Sequence, residues 1–460
     1  MYALIAVVFV LGYLCIAFEH PLRIDKAAAA ILTAVLCWTV LVLGADSILP
    51  LLQPGSHGSS ESSTVVVEAL RHHLGEISEI LFFLLGAMTI VELIDSHEGF
   101  KVITDRIQTR KRIHLLWIIG FLTFFLSAAL DNLTTTIVMV SLLRKLIRGR
   151  PERWLFVGIV VIAANAGGAW SPIGDVTTTM LWIGNQITAS GVIVGLFLPS
   201  LVCLLVPLLI LSFRLRGEAP RPRARAHLAE RHPSATTAFE RNLVLTLGLG
   251  ALVFVPVFKT VTHLPPYMGI LFGLGVLWVT TEFLHRHKED DHKHPLSVVG
   301  VLRKVDTPSV LFFLGILLAV AALATAGHLT QVATALRDSL GHIYPINYTI
   351  GLLSAVVDNV PLVAGSMKMY PLVNPALLAA ATPDETAWLS QFVVDGNFWE
   401  MLAYCAGTGG STLIIGSAAG VAAMGMEKIS FTWYLKRVSL LAFLGYTAGA
   451  VTYIGMLALR

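Results

Sequence analysis

The chain has 460 residues, 55% of them apolar, and only 13% are Asp, Glu, Lys or Arg, about half the ~25% usual for soluble domains. Mean hydropathy is +0.76, and 32 basic against 29 acidic residues leave a formal net charge of +3. These figures exclude a soluble globular enzyme, a disordered chain and a nucleic-acid binder, and leave an integral membrane protein with many spans.

A spanning helix needs about 20 predominantly apolar residues. The first run, 2–18, has no basic flank and no small-residue cleavage pattern, so it is expected to stay as a helix. Runs at 27–52 and 77–94 follow, with the acidic, serine-rich segment 55–76 between them expected as an external loop. Residues 113–147 are too long for one span and too short for two with a loop, and carry Asp131-Asn132 at their centre. This is the pattern of a re-entrant hairpin. A stretch at 154–187 is interrupted by Asn165-Ala-Gly-Gly-Ala-Trp-Ser-Pro-Ile-Gly-Asp175, where three glycines and a proline oppose a continuous helix. A run at 192–213 closes the first half, and the arginine-rich 214–241 reads as a cytoplasmic linker.

The second half repeats the scheme, with runs at 242–258, 267–284 and 308–326, a second over-long segment at 345–370 around Asp358-Asn359, a second broken stretch at 398–424, and a last run at 431–459. Asp131-Asn132 matches Asp358-Asn359, and Ala166-Gly167-Gly168 with Gly174 matches Thr408-Gly409-Gly410 with Gly416. Motifs matched in order mark an internal duplication. The expected fold is an all-α polytopic membrane protein of two repeats, 1–213 and 242–460. Each has five crossings, one re-entrant hairpin and one broken helix. An odd number of crossings inverts the second repeat. This threading puts 27 of the 32 basic residues on one side and five on the other, which sets the cytoplasmic face and both termini outside.

Carboxylates at membrane depth cost about 2.5–3.5 kcal/mol on insertion scales. Asp131 and Asp358 stand at the hairpin tips, each followed by an asparagine, and Asp175 stands in the first broken helix. The matching position in the second broken helix is Ser417, so the halves are chemically unequal. If hairpins and broken helices converge, one midplane site holds up to three carboxylates and no Lys or Arg. Asn132, Asn359 and Asn165 add amides, and Thr135, Ser171, Thr408 and Ser411 add hydroxyls. Oxygen donors without Cys or His suit a hard cation, Na⁺ or Li⁺, with Asp131, Asn132, Asn165, Asp175, Asp358 and Asn359 as its ligand set. A proton and a metal ion would compete for the same oxygens, which is a physical route to antiport. No bound cofactor is expected; the transported Na⁺ or Li⁺ and H⁺ are the cargo. Glu92 and Asp95, near the end of the third run, fit an interfacial ion pair better than a proton path, and the four-histidine run 285–294 fits a solvated loop. Cys15, Cys37, Cys203 and Cys405 lie in apolar runs with no metal or disulfide spacing.

The chain resembles the NhaD-type sodium/proton antiporters of the ion transporter superfamily. The resemblance rests on 130–136, 165–179, 357–361 and 407–416. It implies efflux of Na⁺ or Li⁺ driven by proton entry across a bacterial plasma (inner) membrane. It also implies a homodimer with a scaffold and a transport domain that moves as an elevator. An anion carrier for dicarboxylate or arsenite on the same fold, and a non-transporting sensor or assembly subunit, are the alternatives. No loop between runs reaches 40 residues, so no soluble catalytic domain is expected.

Overall fold

A computed structural model describes residues 1–52, 59–104, 107, 109, 111–215, 217, 218, 236–286 and 294–459. Most of the linker, including Arg221, Arg223 and Arg225, and 287–293 of the histidine run lie outside the described residues.

Among the described residues every regular element is a helix. The first half contains α1 (Tyr2–Ala17), α2 (Lys26–Leu43), α3 (Ser59–Ser96), α4 (Arg112–Ala129), α5 (Asn132–Leu146), α6 (Arg150–Ala169), α7 (Val176–Ile183) and α8 (Ala189–Arg214). The second contains α9 (Ala238–Thr262), α10 (Pro266–His285), α11 (Thr307–Thr325), α12 (Ile343–Leu353), α13 (Asn359–Met369), α14 (Asn397–Gly409), α15 (Ala418–Glu427) and α16 (Ser439–Ala458), with shorter helices between them. Nine described helices are long and apolar enough to cross a bilayer. The protein is a polytopic α-helical membrane protein.

Two expectations change. The 27–52 run is two helices, because the chain breaks at Gly44 before a short helix, Ala45–Leu52. The segment 59–76, expected as a loop, is helical and continuous with the third span, making α3 38 residues long. At 1.5 Å per residue that is about 57 Å, well beyond a ~30 Å hydrocarbon core. Its polar first half therefore projects out of the bilayer.

The spans pack through small residues, as helices in lipid do. Gly315 of α11 lies against the backbone of Ala30 in α2, and Gly445 and Gly449 of α16 lie against Cys203 and Pro199 carbonyls of α8. Larger side chains could not enter these crossings.

Ion pairs fix which helix ends share a face. Arg112, at the start of α4, donates to Glu152 at the start of α6 (2.6 Å), and Arg144, at the end of α5, donates to Glu427 at the end of α15 (2.6 Å). Arg153 of α6 reaches the other Glu427 oxygen at 2.8 Å. So α4 enters and α5 leaves at one end of the molecule, rich in arginine. At the opposite end Asp395, just before α14, accepts from Thr188 N (2.6 Å) and Thr188 Oγ1 (2.7 Å), just after α7. Asn347 of α12 donates to the Phe398 carbonyl, and Tyr370, just after α13, packs on Phe398, so the second pair of half-helices opens toward that opposite end. The broken helix α6–α7 and the broken helix α14–α15 thus run antiparallel.

Candidate functional site

Each hairpin is tied to its broken helix in the same way. Ser127, four residues before Asp131, donates to the Ala164 carbonyl (2.6 Å); Ser354, four residues before Asp358, donates to the Ala406 carbonyl (2.8 Å). One turn further, Gly167 meets the Phe124 carbonyl and Gly409 meets the Gly351 carbonyl, where a Cβ would collide with backbone oxygen. These contacts press both breaks against both hairpin tips.

The breaks end in N-caps. Asp175 Oδ1 accepts from Thr177 N at 3.1 Å and starts α7; Ser417 Oγ accepts from Gly420 N at 3.2 Å and starts α15. Their backbones coincide, with φ −146°, ψ 146° and φ −145°, ψ 153°. An acid and a hydroxyl therefore do the same local job.

Asp175 is the hub. It is 2% exposed. Its Oδ2 accepts from Asn132 Nδ2 at 3.0 Å and from Asn359 Nδ2 at 3.4 Å, so both hairpins meet on one carboxylate oxygen. Asn132 Nδ2 also donates to Asn165 Oδ1 (3.0 Å), and Asn165 Nδ2 donates to Ser411 Oγ (2.8 Å) and Ser417 Oγ (2.9 Å). A carboxylate can only accept, which fixes the orientation of the Asn132 and Asn359 amides and, through them, of Asn165. Tyr434 OH donates to the Ser411 carbonyl and supports the second break.

The structure thus brings together Asn132, Asn165, Asp175, Asn359 and Ser411. Asp131 and Asp358 are close by but make no hydrogen bond to this network. Asp131 accepts from Thr134 N (2.7 Å) and Thr134 Oγ1 (2.8 Å), and Asp358 Oδ1 accepts from Val360 N (3.2 Å). Ser171 donates to the Ala128 carbonyl, and Thr408 donates to the Tyr404 carbonyl of its own helix. Thr135 is fully buried with no partner for its hydroxyl. No Lys or Arg touches the hub among the described residues. The Asn132 and Asn359 amides turn their N–H groups toward the Asp175 carboxylate, so a cation would bind these oxygens only where the amides turn their own oxygens inward, and a proton would replace one of the same hydrogen bonds.

Sequence reasoning missed two neighbours. Ser417 joins the network through Asn165, a role its alignment with Asp175 foreshadowed. Tyr13 of α1 lies against Asp358, and no motif marks it. Of the other acids, Glu92 accepts from Ser96 (3.4 Å) and lies 3.8 Å from Lys304.

A profile of the citrate transporter family matches residues 13–392. "Sodium/proton antiporter 1" of Arabidopsis thaliana is 49% identical over 98% of this chain and 72% of its own length. "Sodium/proton antiporter 2" of the same plant is 45% identical over 98% and 99%. "Na(+)/H(+) antiporter NhaD" of Alkalimonas amylolytica is 30% identical over 97% and 89%. The chain belongs to the NhaD-type sodium/proton antiporter family. The chain thus matches both a profile whose description names citrate and relatives named for sodium and protons, and no cationic side chain touches the hub among the described residues.

Proposed function

We propose that the chain is a secondary active transporter that exchanges Na⁺, or Li⁺, for H⁺, and that Asp175 is where the two cargoes compete. The observation that carries this is the convergence of Asn132 and Asn359, one from each hairpin, on Asp175 Oδ2. A cation or a proton arriving there displaces the same amide hydrogen bonds, so one excludes the other. The names of the relatives support the cargo. An anion such as citrate would meet the Asp175 carboxylate there with no Lys or Arg among the described residues to offset it.

The same reading takes 1–213 and 242–460 as inverted repeats, supported by the antiparallel broken helices and the matched serine and glycine contacts. It places the arginine-rich end in the cytoplasm and both termini outside, in a bacterial plasma membrane, supported by the 27-to-5 split of basic residues. A homodimer working by an elevator motion comes from the family resemblance alone, and no enzymatic activity is proposed.

The test is proton flux in proteoliposomes of the purified chain. Na⁺ should drive it, Li⁺ should compete with Na⁺, and succinate and citrate should do neither. Uptake of labelled citrate with no sodium-dependent proton movement would replace this reading with the anion carrier; no flux of either kind would favour a sensor.

A further inference from the structure

We propose that Lys259 is a positioning residue for exchange: it latches α7, the half-helix that Asp175 starts, to a separate three-helix unit, and the latch opens and re-forms as the carrier turns over. The inference rests on the antiporter reading. Exchange at one carboxylate needs that carboxylate to face each side in turn, so some contact around the hub must break.

The hub helices hold one another. Both hairpins bond to Asp175, Glu427 pins α15 to α5 and α6, and Asp395 ties the chain after α7 to the start of α14. Helices α3, α9 and α10 hold one another in a different way, through small residues. Gly248 of α9 lies against Ile90 and Ile94 of α3, Gly86 of α3 against Ile270 of α10, and Gly273 of α10 against Ala251 of α9. These three helices form a packed unit of their own.

Lys259 crosses from this unit to the hub. It stands in the last turn of α9, and its Nζ donates to the Trp182 carbonyl at 2.8 Å and to Asn185 Oδ1 at 3.1 Å. Trp182 lies in the last turn of α7, and Asn185 in the turn that follows. The ammonium also stands over the face of the Trp182 ring, 5.0 Å from its centre, and Phe83 of α3 meets the same ring edge-on at 6.5 Å. Trp182 is 2% exposed, so the unit grips α7 by a buried side chain and a charged hydrogen bond together. The place suits a cation, because the C-terminal end of a helix carries partial negative charge. Glu79, the carboxylate whose field reaches Lys259, belongs to α3 and so to the same unit as the lysine.

There is room for the latch to open. A cavity of about 570 Å³ at the same end of the molecule is lined by Ile183 and Asn185 at the end of α7, Met367 and Lys368 of α13, and Glu76 and Ile80 of α3. A second polar bridge here, from Lys368 Nζ to Glu76, joins α13 to α3 between side chains open to solvent, where water competes for both groups. Lys259 is half-buried against the Trp182 ring. It is therefore the stronger polar contact that α7 must give up to move relative to α3, α9 and α10.

A reversible lock tests this on the full purified chain, with Cys15, Cys37, Cys203 and Cys405 replaced by alanine. Lys259→Cys with Asn185→Cys is joined by a short bifunctional thiol reagent whose links are reducible. Na⁺-driven proton flux in proteoliposomes should fall at least about twentyfold on joining and return with reductant. Equilibrium ²²Na⁺ binding in detergent should stay within about threefold, because the hub keeps its own ties. Lys259→Met keeps the stem and removes the charge; its maximal exchange rate should differ from the parent by about threefold or more, with Na⁺ Kd within about twofold. Lys259→Arg still donates to both acceptors and stacks on the ring, so its rate should stay within about twofold. Where the double-cysteine chain does not fold, the comparison of Lys259→Met with Lys259→Arg decides. A joined pair that exchanges at the parent rate overturns the latch. So does Lys259→Met that differs from the parent only by a lower unfolding midpoint, which makes the contact structural. Loss of Na⁺ binding in Lys259→Met overturns it as well, and makes the lysine a support of the hub. Absence of Na⁺ binding in the parent chain would instead overturn the antiporter reading itself.

Discussion

The two hairpin and broken-helix units share their joinery and differ in their chemistry. Serine-to-carbonyl ties, glycine crossings and N-cap backbones recur almost bond for bond. Yet Asp175 faces Ser417 across the duplication, Asn165 faces Gly407, and the strained Asp131 faces the relaxed Asp358. The joinery is what holds two helix breaks against two tips, so it is needed twice. The charge is needed once, because two acids at the hub would repel unless a proton or a cation stayed between them.

The largest expected effect breaks this comparison at its centre. Asp175→Asn should lower Na⁺-driven proton flux by at least about a hundredfold, on a scale where each 1.36 kcal/mol is a factor of ten. Ser417→Ala, at the matching position, removes one acceptor for Asn165 and one N-cap. It should lower flux severalfold, since each such hydrogen bond is worth about 0.5–1.5 kcal/mol. Equal losses would mean that the halves share the cargo, contrary to the reading above.

Next comes the pin that joins the units. The Glu427 side chain is 1% exposed and paired with Arg153 and Arg144, while its carbonyl accepts from Trp154. Removing one partner of a buried pair costs about 3–5 kcal/mol, and the low end applies because Arg144 is half-exposed. Glu427→Ala should therefore lower the unfolding midpoint in detergent by several degrees and loosen α15 from α5 and α6.

The glycine crossings test the shared part. Gly167→Ala and Gly409→Ala each push a methyl group into a carbonyl oxygen of the neighbouring half-helix. Overpacking of this kind costs about 1–3 kcal/mol. The two variants should lose similar stability, read as thermal unfolding of purified protein, even though only one of them stands beside Asn165. A large difference would show that the joinery is not equivalent.

Much of this was legible in the sequence, and its limits have physical causes. The hairpins, the breaks and the residues at the hub follow from acids, glycines and prolines placed where lipid would forbid them. The outer half of α3 was not legible, because its serines, acids and histidines carry no apolar run, and a helix leaving the bilayer no longer needs one. The direction of Asp131 was not legible either. It depends on a backbone conformation that an aspartate rarely adopts, set by Thr134 and by packing at the tip.

The smallest effect contrasts the two ends of the molecule. Lys368 of α13 donates to Glu76 of α3 at 2.7 Å, and His73 shares the same carboxylate oxygen. These side chains are 32% and 46% exposed, beside the 570 Å³ cavity, in place of the buried Glu427 at the other end. An exposed pair contributes about 0–1 kcal/mol and is screened over ~8–10 Å at physiological salt. Lys368→Gln should therefore leave thermal stability almost unchanged in moderate salt, with a small deficit that appears only at low ionic strength. A loss as large as that of Glu427→Ala would show that the Lys368 end is held as firmly as the arginine-rich end. Any sliding of α13 past α3 would then have to break a strong contact.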